Sequence, residues 1–199
     1  MMRDRIRDVF LQARRLHETA ADRYADDVER AARETAARIR QGGCVYIFGN
    51  GGSAADAIHW SGELMGRFNL DRPGIPAIAL AVNPSVITAV ANDYEFDQVF
   101  ARQLDALARP ADVVMAISTS GRSPNVLNAL RCVRSRGCFR LGFTGADTHE
   151  MSPLVDVVFS VPSPSTPRIQ EMHALLGHLL CELVEADLYG PKAGCTNPS

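Results

Sequence analysis

His59 and Glu63 stand four residues apart in the stretch SAADAIHWSGELMGRF, residues 53–68. On a helix this spacing puts an imidazole and a carboxylate on one face, a turn apart. Asp56 and Arg67 continue the same series. Such a pair is more often a solvated ion pair than a site. Here, however, the helix follows a glycine loop and has to pack on a sheet, which weakens the solvent explanation. Further on, RIQEMHALLGH (168–178) places Gln170, His173 and His178 in a closing helix that needs only an amphipathic pattern. At 100° per residue Gln170 and His178 lie about 80° apart, with a rise of about 12 Å between them. Convergence on one ion across that gap requires a late helix start or a second subunit. His173 falls about 140° from His178 and is expected to be structural. Histidine and glutamate are good zinc ligands, while glutamine is a weak one.

Two loops suit an anion. GNGGS (49–53) has glycines that let a ligand approach the backbone, and the helix after it offers unpaired N–H groups. STSGRS (118–123) adds the hydroxyls of Ser118, Thr119, Ser120 and Ser123. Helix caps and tight turns use the same residue types, but four hydroxyls in six residues exceed what one cap requires. Hydroxyls and backbone amides without lysine point to a bound phosphate.

These residues need a scaffold, and its elements are legible. CVYIF (44–48), AIAL (77–80), VVMAI (113–117), FRLGFT (139–144) and VDVVFSV (155–161) read as strands. Helices are expected from about residue 53, near 84–91 and 94–107, over 123–136 and over 167–188. Short apolar strands interleaved with helices imply an α/β fold with a five-stranded parallel sheet covered on both faces. Residues 3–40 read as a long helical arm, with a bend expected at Tyr24 to Asp27. An arm of this length has to bury its apolar face, commonly against another subunit. Residues 1–190 are expected to form one domain, followed by a polar tail, 191–199.

Composition narrows the function. Apolar residues make up 46 %, charged residues 22 %, and the net charge is −2, with arginines dispersed among acids. Neither a nucleic-acid nor a membrane partner is expected. With no apolar leader pattern, a cytoplasmic location is expected. Five cysteines (Cys44, Cys132, Cys138, Cys181 and Cys195) without a CxxC pair read as reduced structural thiols. Lys192 is the only lysine, which excludes a P-loop and a Schiff-base enzyme.

GNGGSAADAIHWSGELMGRF, ANDYEF, ISTSGRSPNVLNAL, LGFTG and TPRIQEMHALLGH together resemble the phosphoheptose isomerases of the SIS sugar-isomerase fold. The resemblance runs from the N-terminal helix to about residue 190. It implies a three-layer sandwich, a homotetramer with active sites between subunits, and one zinc ion per subunit held by His59, Glu63, Gln170 and His178. Glu63 is the implied base and His178 the implied acid. Ser53, Ser118, Thr119, Ser120 and Ser123 correspond to the phosphate grip, and Gly51 and Gly52 of the first loop are expected to bind the substrate as well. Asn50, Arg67, Asn92 and Asp93 match positions that line the sugar pocket, and Gln170 is expected to contact the substrate too. Some relatives have an aspartate where Pro167 stands, so an acidic helper is missing here. The implied reaction converts sedoheptulose 7-phosphate to D-glycero-D-manno-heptose 7-phosphate through an enediol. Non-catalytic SIS proteins, which bind sugar phosphates or the replication initiator, are the alternative; they lack the acid and base that Glu63 and His178 supply.

Overall fold

The computed structural model describes residues 1–191; Lys192, Cys195 and the rest of the tail lie outside the described residues. The arm forms two helices, α1 (Met2–Glu18) and α2 (Ala20–Arg40). The alternating part follows as β1 (Val45–Gly49), α3 (Gly52–Met65), β2 (Ala77–Ala79), α4 (Pro84–Asp93), α5 (Ala101–Leu107), β3 (Val113–Ser118), α6 (Pro124–Val133), β4 (Phe139–Thr144), β5 (Val157–Ser160) and α7 (Thr166–Tyr189). The strands pair in parallel in the order β2-β1-β3-β4-β5.

β1 and β3 are buried along their whole length, as wholly apolar runs require. Alternate side chains serve opposite faces. Val45, Ile47, Met115, Ile117, Leu141 and Phe143 join α2, α3 and α7 on one side. Tyr46, Phe48, Val114 and Ala116 join α4, α5 and α6 on the other. Trp60, Phe143 and Phe159 form an aromatic chain through the first layer, with consecutive ring centroids 5.0 Å apart.

Three expectations need correction. The arm breaks at Thr19, not at Tyr24 to Asp27. The Thr19 hydroxyl turns back to the Leu16 carbonyl (3.2 Å), a local bond that competes with helix continuation. Tyr24 stays helical and buried, its hydroxyl donating to the Ser160 carbonyl (2.8 Å). The helix expected over 94–107 is interrupted by a 3-10 turn at Phe96–Gln98. The last strand is shorter than expected, because Asp156 turns aside to accept from the Arg140 backbone N–H and guanidinium (2.8 and 2.9 Å).

α3 and α7 run side by side in parallel register. His59 meets His178 at a chain offset of 119, and Phe68 meets Glu185 at 117. They pack closely at Gly177, where a Cβ would collide with the Trp60 indole. A second tie is His173, fully buried, whose Nε2 donates to the Thr144 carbonyl at the end of β4 (3.1 Å). Burial lowers its pKa to about 4, so the imidazole is neutral.

Gly177→Ala should destabilise the protein by about 1–3 kcal/mol despite alanine's better helix propensity, because the added Cβ strikes the buried Trp60 indole. A lower denaturation midpoint at unchanged slope would show this, and an unchanged midpoint would contradict close packing. His173 gives a pH signature. Its folded pKa lies below the unfolded value, so the unfolded chain binds the proton first, and stability is lost as pH falls from about 6.5 towards 4. By about pH 4.5 the loss should reach roughly 2–3 kcal/mol, and His173→Gln should lack it. Equal pH slopes in unfolding titrations of the two proteins would contradict a neutral buried imidazole.

Candidate active site

In a sheet ordered 2-1-3-4-5 the connections leave β1 and β3 in opposite directions, opening a crevice beyond their carboxyl ends. The two anion-suited loops are the ones that border it. Gly49, paired with Ile117, leads into the first loop, and β3 ends at Ser118. Gly51 takes a φ of 56°, and Gly52 lies so close to Gln170 that a Cβ would strike the amide Nε2. Ser53 is buried in the first turn of α3.

The second loop gathers its hydroxyls. Ser118 Oγ lies 2.9 Å from Ser123 Oγ and 3.4 Å from Ser120 Oγ. Ser120 Oγ accepts the Arg122 N–H (3.2 Å), while the Thr119 carbonyl accepts from Gly145 (3.0 Å). Gly121, at φ 67°, closes the turn. Arg122 reaches out of the loop to Asp147. Asn50 and Asn125 exchange two amide hydrogen bonds of 2.8 Å each and lock the loops together. Asn125 is buried at the start of α6 and was missed by the sequence reading, although it lies inside SGRSPN.

Farther along the α3–α7 groove, His59 Nε2 lies 3.1 Å from Glu63 Oε1 and 3.4 Å from His178 Nε2. One ligand atom from each of the three residues fits within a 4.8 Å group. Two facing imidazole nitrogens share at most one proton, whereas a cation would satisfy both lone pairs and the carboxylate. A tetrahedral ion with bonds of about 2.0–2.1 Å spaces its ligands about 3.3 Å apart, close to the distances found. Two imidazoles and one carboxylate therefore fit zinc.

Gln170 stands apart from this trio. The closing helix starts at Thr166, so the start is not late, and Gln170 lies against Gly52 at the loop end of the groove. Asp56, one turn before His59, has a buried Oδ2 without a partner among the described residues. Burial raises its pKa, against the pull of His59 and His178. Phe68 stacks on His178, with centroids 5.8 Å apart and ring planes at 27°. It lies inside the first motif, but nothing in its spacing singles it out. Arg67 is exposed beside it. Asn92 and Asp93 bond each other (2.8 Å) on the exposed last turn of α4.

Cys44, Cys132, Cys138 and Cys181 are unpaired. Burial pushes the Cys181 thiol up to about 12, which leaves it without thiolate character. Among the described residues no helix is long and apolar enough to cross a membrane.

The SIS domain family model matches residues 10–145. The phosphoheptose isomerase of Solidesulfovibrio magneticus is 51 % identical over 166 residues, covering 83 % of this chain and 81 % of the relative. Among solved structures, the phosphoheptose isomerase of Neisseria gonorrhoeae superposes with a TM-score of 0.88 at 35 % identity, covering 94 % of this chain and all of that one. The Francisella tularensis phosphoheptose isomerase gives 0.89 at 32 %, over 92 % and 98 %. The chain belongs to the phosphoheptose isomerases, an enzyme family of the SIS-domain fold.

Proposed function

We propose that this protein interconverts sedoheptulose 7-phosphate and D-glycero-D-manno-heptose 7-phosphate, the first step of nucleotide-activated heptose synthesis. One observation carries the reading: the His59–Glu63–His178 cluster bridges α3 and α7, and the loop that opens α3 is tied through Asn50–Asn125 to the loop after β3, where Ser120 and Ser123 hydroxyls lie within 3.4 Å of that of Ser118. That loop holds the phosphate and aims the sugar's other end along the groove. Asn50, Gly51, Gly52, Ser53, Ser118, Thr119, Ser120 and Ser123 make up the grip. The α3 N-terminus adds backbone donors for the anion.

The chemistry follows from the donors. Glu63 takes a proton from C1 of the ketose. The C–H electron pair becomes the C1–C2 double bond, and the former carbonyl oxygen takes up negative charge. His178 delivers a proton to C2, while the C1 hydroxyl proton passes to the negatively charged O2, which leaves an aldehyde at C1 and a hydroxyl at C2. Glu63 Oε1 faces His59, which leaves Oε2 for the carbon-bound proton. Arg67 and Gln170 orient the sugar hydroxyls. His59, Glu63 and His178 would hold one zinc ion per subunit, with Gln170 as the fourth donor implied by the resemblance. When bound, zinc supplies Lewis-acid polarisation of the substrate oxygens.

The same reading includes a homotetramer. α1 has no buried residue among those described and exposes Ile6, Phe10 and Leu11. Ala21, Ala25, Leu175, Leu179 and Leu183 line an apolar groove between the arm and α7. These faces suit other subunits, with the arm in their interface. The isolation of Asn92 and Asp93 from the trio fits a pocket shared between subunits. Unpaired thiols agree with a cytoplasmic location.

NMR of the purified protein with sedoheptulose 7-phosphate should show the aldose heptose phosphate accumulating. Glu63→Gln should lower turnover by about 10³-fold or more, since it removes the base and keeps the shape. No turnover with zinc supplied, alongside retained sugar-phosphate binding, would favour the regulatory alternative instead. Full activity after chelation would overturn the zinc assignment.

A further inference from the structure

The turn that follows α3 is held by a buried charge that the proposed chemistry does not use. Glu185 lies on α7, two turns beyond His178, and its side chain is 1 % exposed. Its Oε1 accepts from the Phe68 N–H (3.0 Å) and from Arg72 Nε (2.8 Å). Its Oε2 accepts from the N–H groups of Asn69 (2.7 Å) and Leu70 (3.0 Å). Burial alone would raise this carboxyl, but the three backbone amides and Arg72 overturn that and hold it below the usual range. Arg72, itself 2 % exposed, caps the end of α3 by donating to the carbonyls of Glu63 (3.0 Å) and Leu64 (2.7 Å).

We propose that the Glu185–Arg72 pair positions the candidate acid and base together: through Phe68 it braces the His178 ring, and through Arg72 it anchors the backbone of Glu63. The inference rests on the isomerase reading above. Stability alone does not explain the pair, because apolar residues of similar volume serve a core at least as well as a buried ion pair. An apolar side chain has no acceptors for three successive amides, and those amides fix where the Phe68 ring lies. That ring stacks on one face of His178, while His59 meets the same imidazole edge-on at 4.9 Å. His178 is thus held from two sides. Glu185 and Phe68 are positioning residues, and neither is assigned contact with the substrate.

The test compares wild type with Phe68→Leu, Phe68→Tyr, Glu185→Gln and the Phe68→Leu/Glu185→Gln double variant. Two readouts are taken: the His178 Cε1–H resonance in histidine-labelled protein, and kcat and KM for sedoheptulose 7-phosphate. Phe68→Leu should remove the ring-current displacement of the His178 signal. It should also lower kcat about tenfold or more with KM changed by less than about twofold, as expected when geometry at the reacting centre is lost and the phosphate grip remains. Phe68→Tyr should retain both. Glu185→Gln should move the His178 signal as Phe68→Leu does and lower kcat at least as much, because it also loosens Arg72, and the double variant should be no worse than Glu185→Gln alone. If Glu185→Gln does not fold, the two Phe68 variants decide. Wild-type kcat in Phe68→Leu, or additive losses in the double variant, would overturn the proposal. Should the wild type show no turnover, the isomerase reading fails; the resonance still decides whether the ring is braced, and an unmoved His178 signal in Phe68→Leu would overturn it.

Discussion

Everything at the site depends on how closely α3 approaches α7. The absence of a side chain at Gly177 lets the Trp60 indole lie against the α7 backbone. Next to these two residues, His59 and His178 come to 3.4 Å. A larger residue at 177 would strike the Trp60 indole and work against this approach. Parallel register then spreads the contacts along the groove in order. Gln170 lies by Gly52, His178 by His59, and Glu185 by the turn at Phe68. The groove is thus divided along its length, with Gly52 and Gln170 at the loop end, the His59–Glu63–His178 trio in the middle, and the Glu185 anchor at the far end.

The sheet supplies the other constraint. Its strand order opens a crevice between β1 and β3, and the two glycine- and serine-bearing loops are those that leave these strands. The reciprocal Asn50–Asn125 amide bonds make the two loops one surface. A phosphate there would be held by hydroxyls, backbone N–H groups and the start of α3. Arg122 projects from the same loop, but it is engaged by Asp147.

Much of this was legible before any coordinates. Wholly apolar runs such as VYIF and VVMAI suit only strands covered on both faces, and i, i+4 spacing puts His59 and Glu63 on one helical face. What stayed hidden depends on neighbours distant in the chain. Strand order has no local signature, so the crevice position could not be read. Glu185 looks like one more acid on a closing helix, and its partners lie 113 to 117 residues away. Asn125 passes for the first turn of a helix, and its partner lies 75 residues away. The break at Thr19 was missed because alanine-rich periodicity continues through it, and a single hydroxyl bond decides where the helix parts. Arg67, Asn92 and Asp93 rest on the resemblance more than on contacts within this chain.

The central claim is that Glu63 and His178 work as separate base and acid across an enediol. Turnover of sedoheptulose 7-phosphate in deuterium oxide tests it most directly, with the position of the label in the aldose read by NMR. Separate groups exchange protons with solvent before the second transfer, so the product should carry solvent deuterium at C2. A product with no solvent deuterium at C2, its hydrogen carried over intact from C1, would contradict the account.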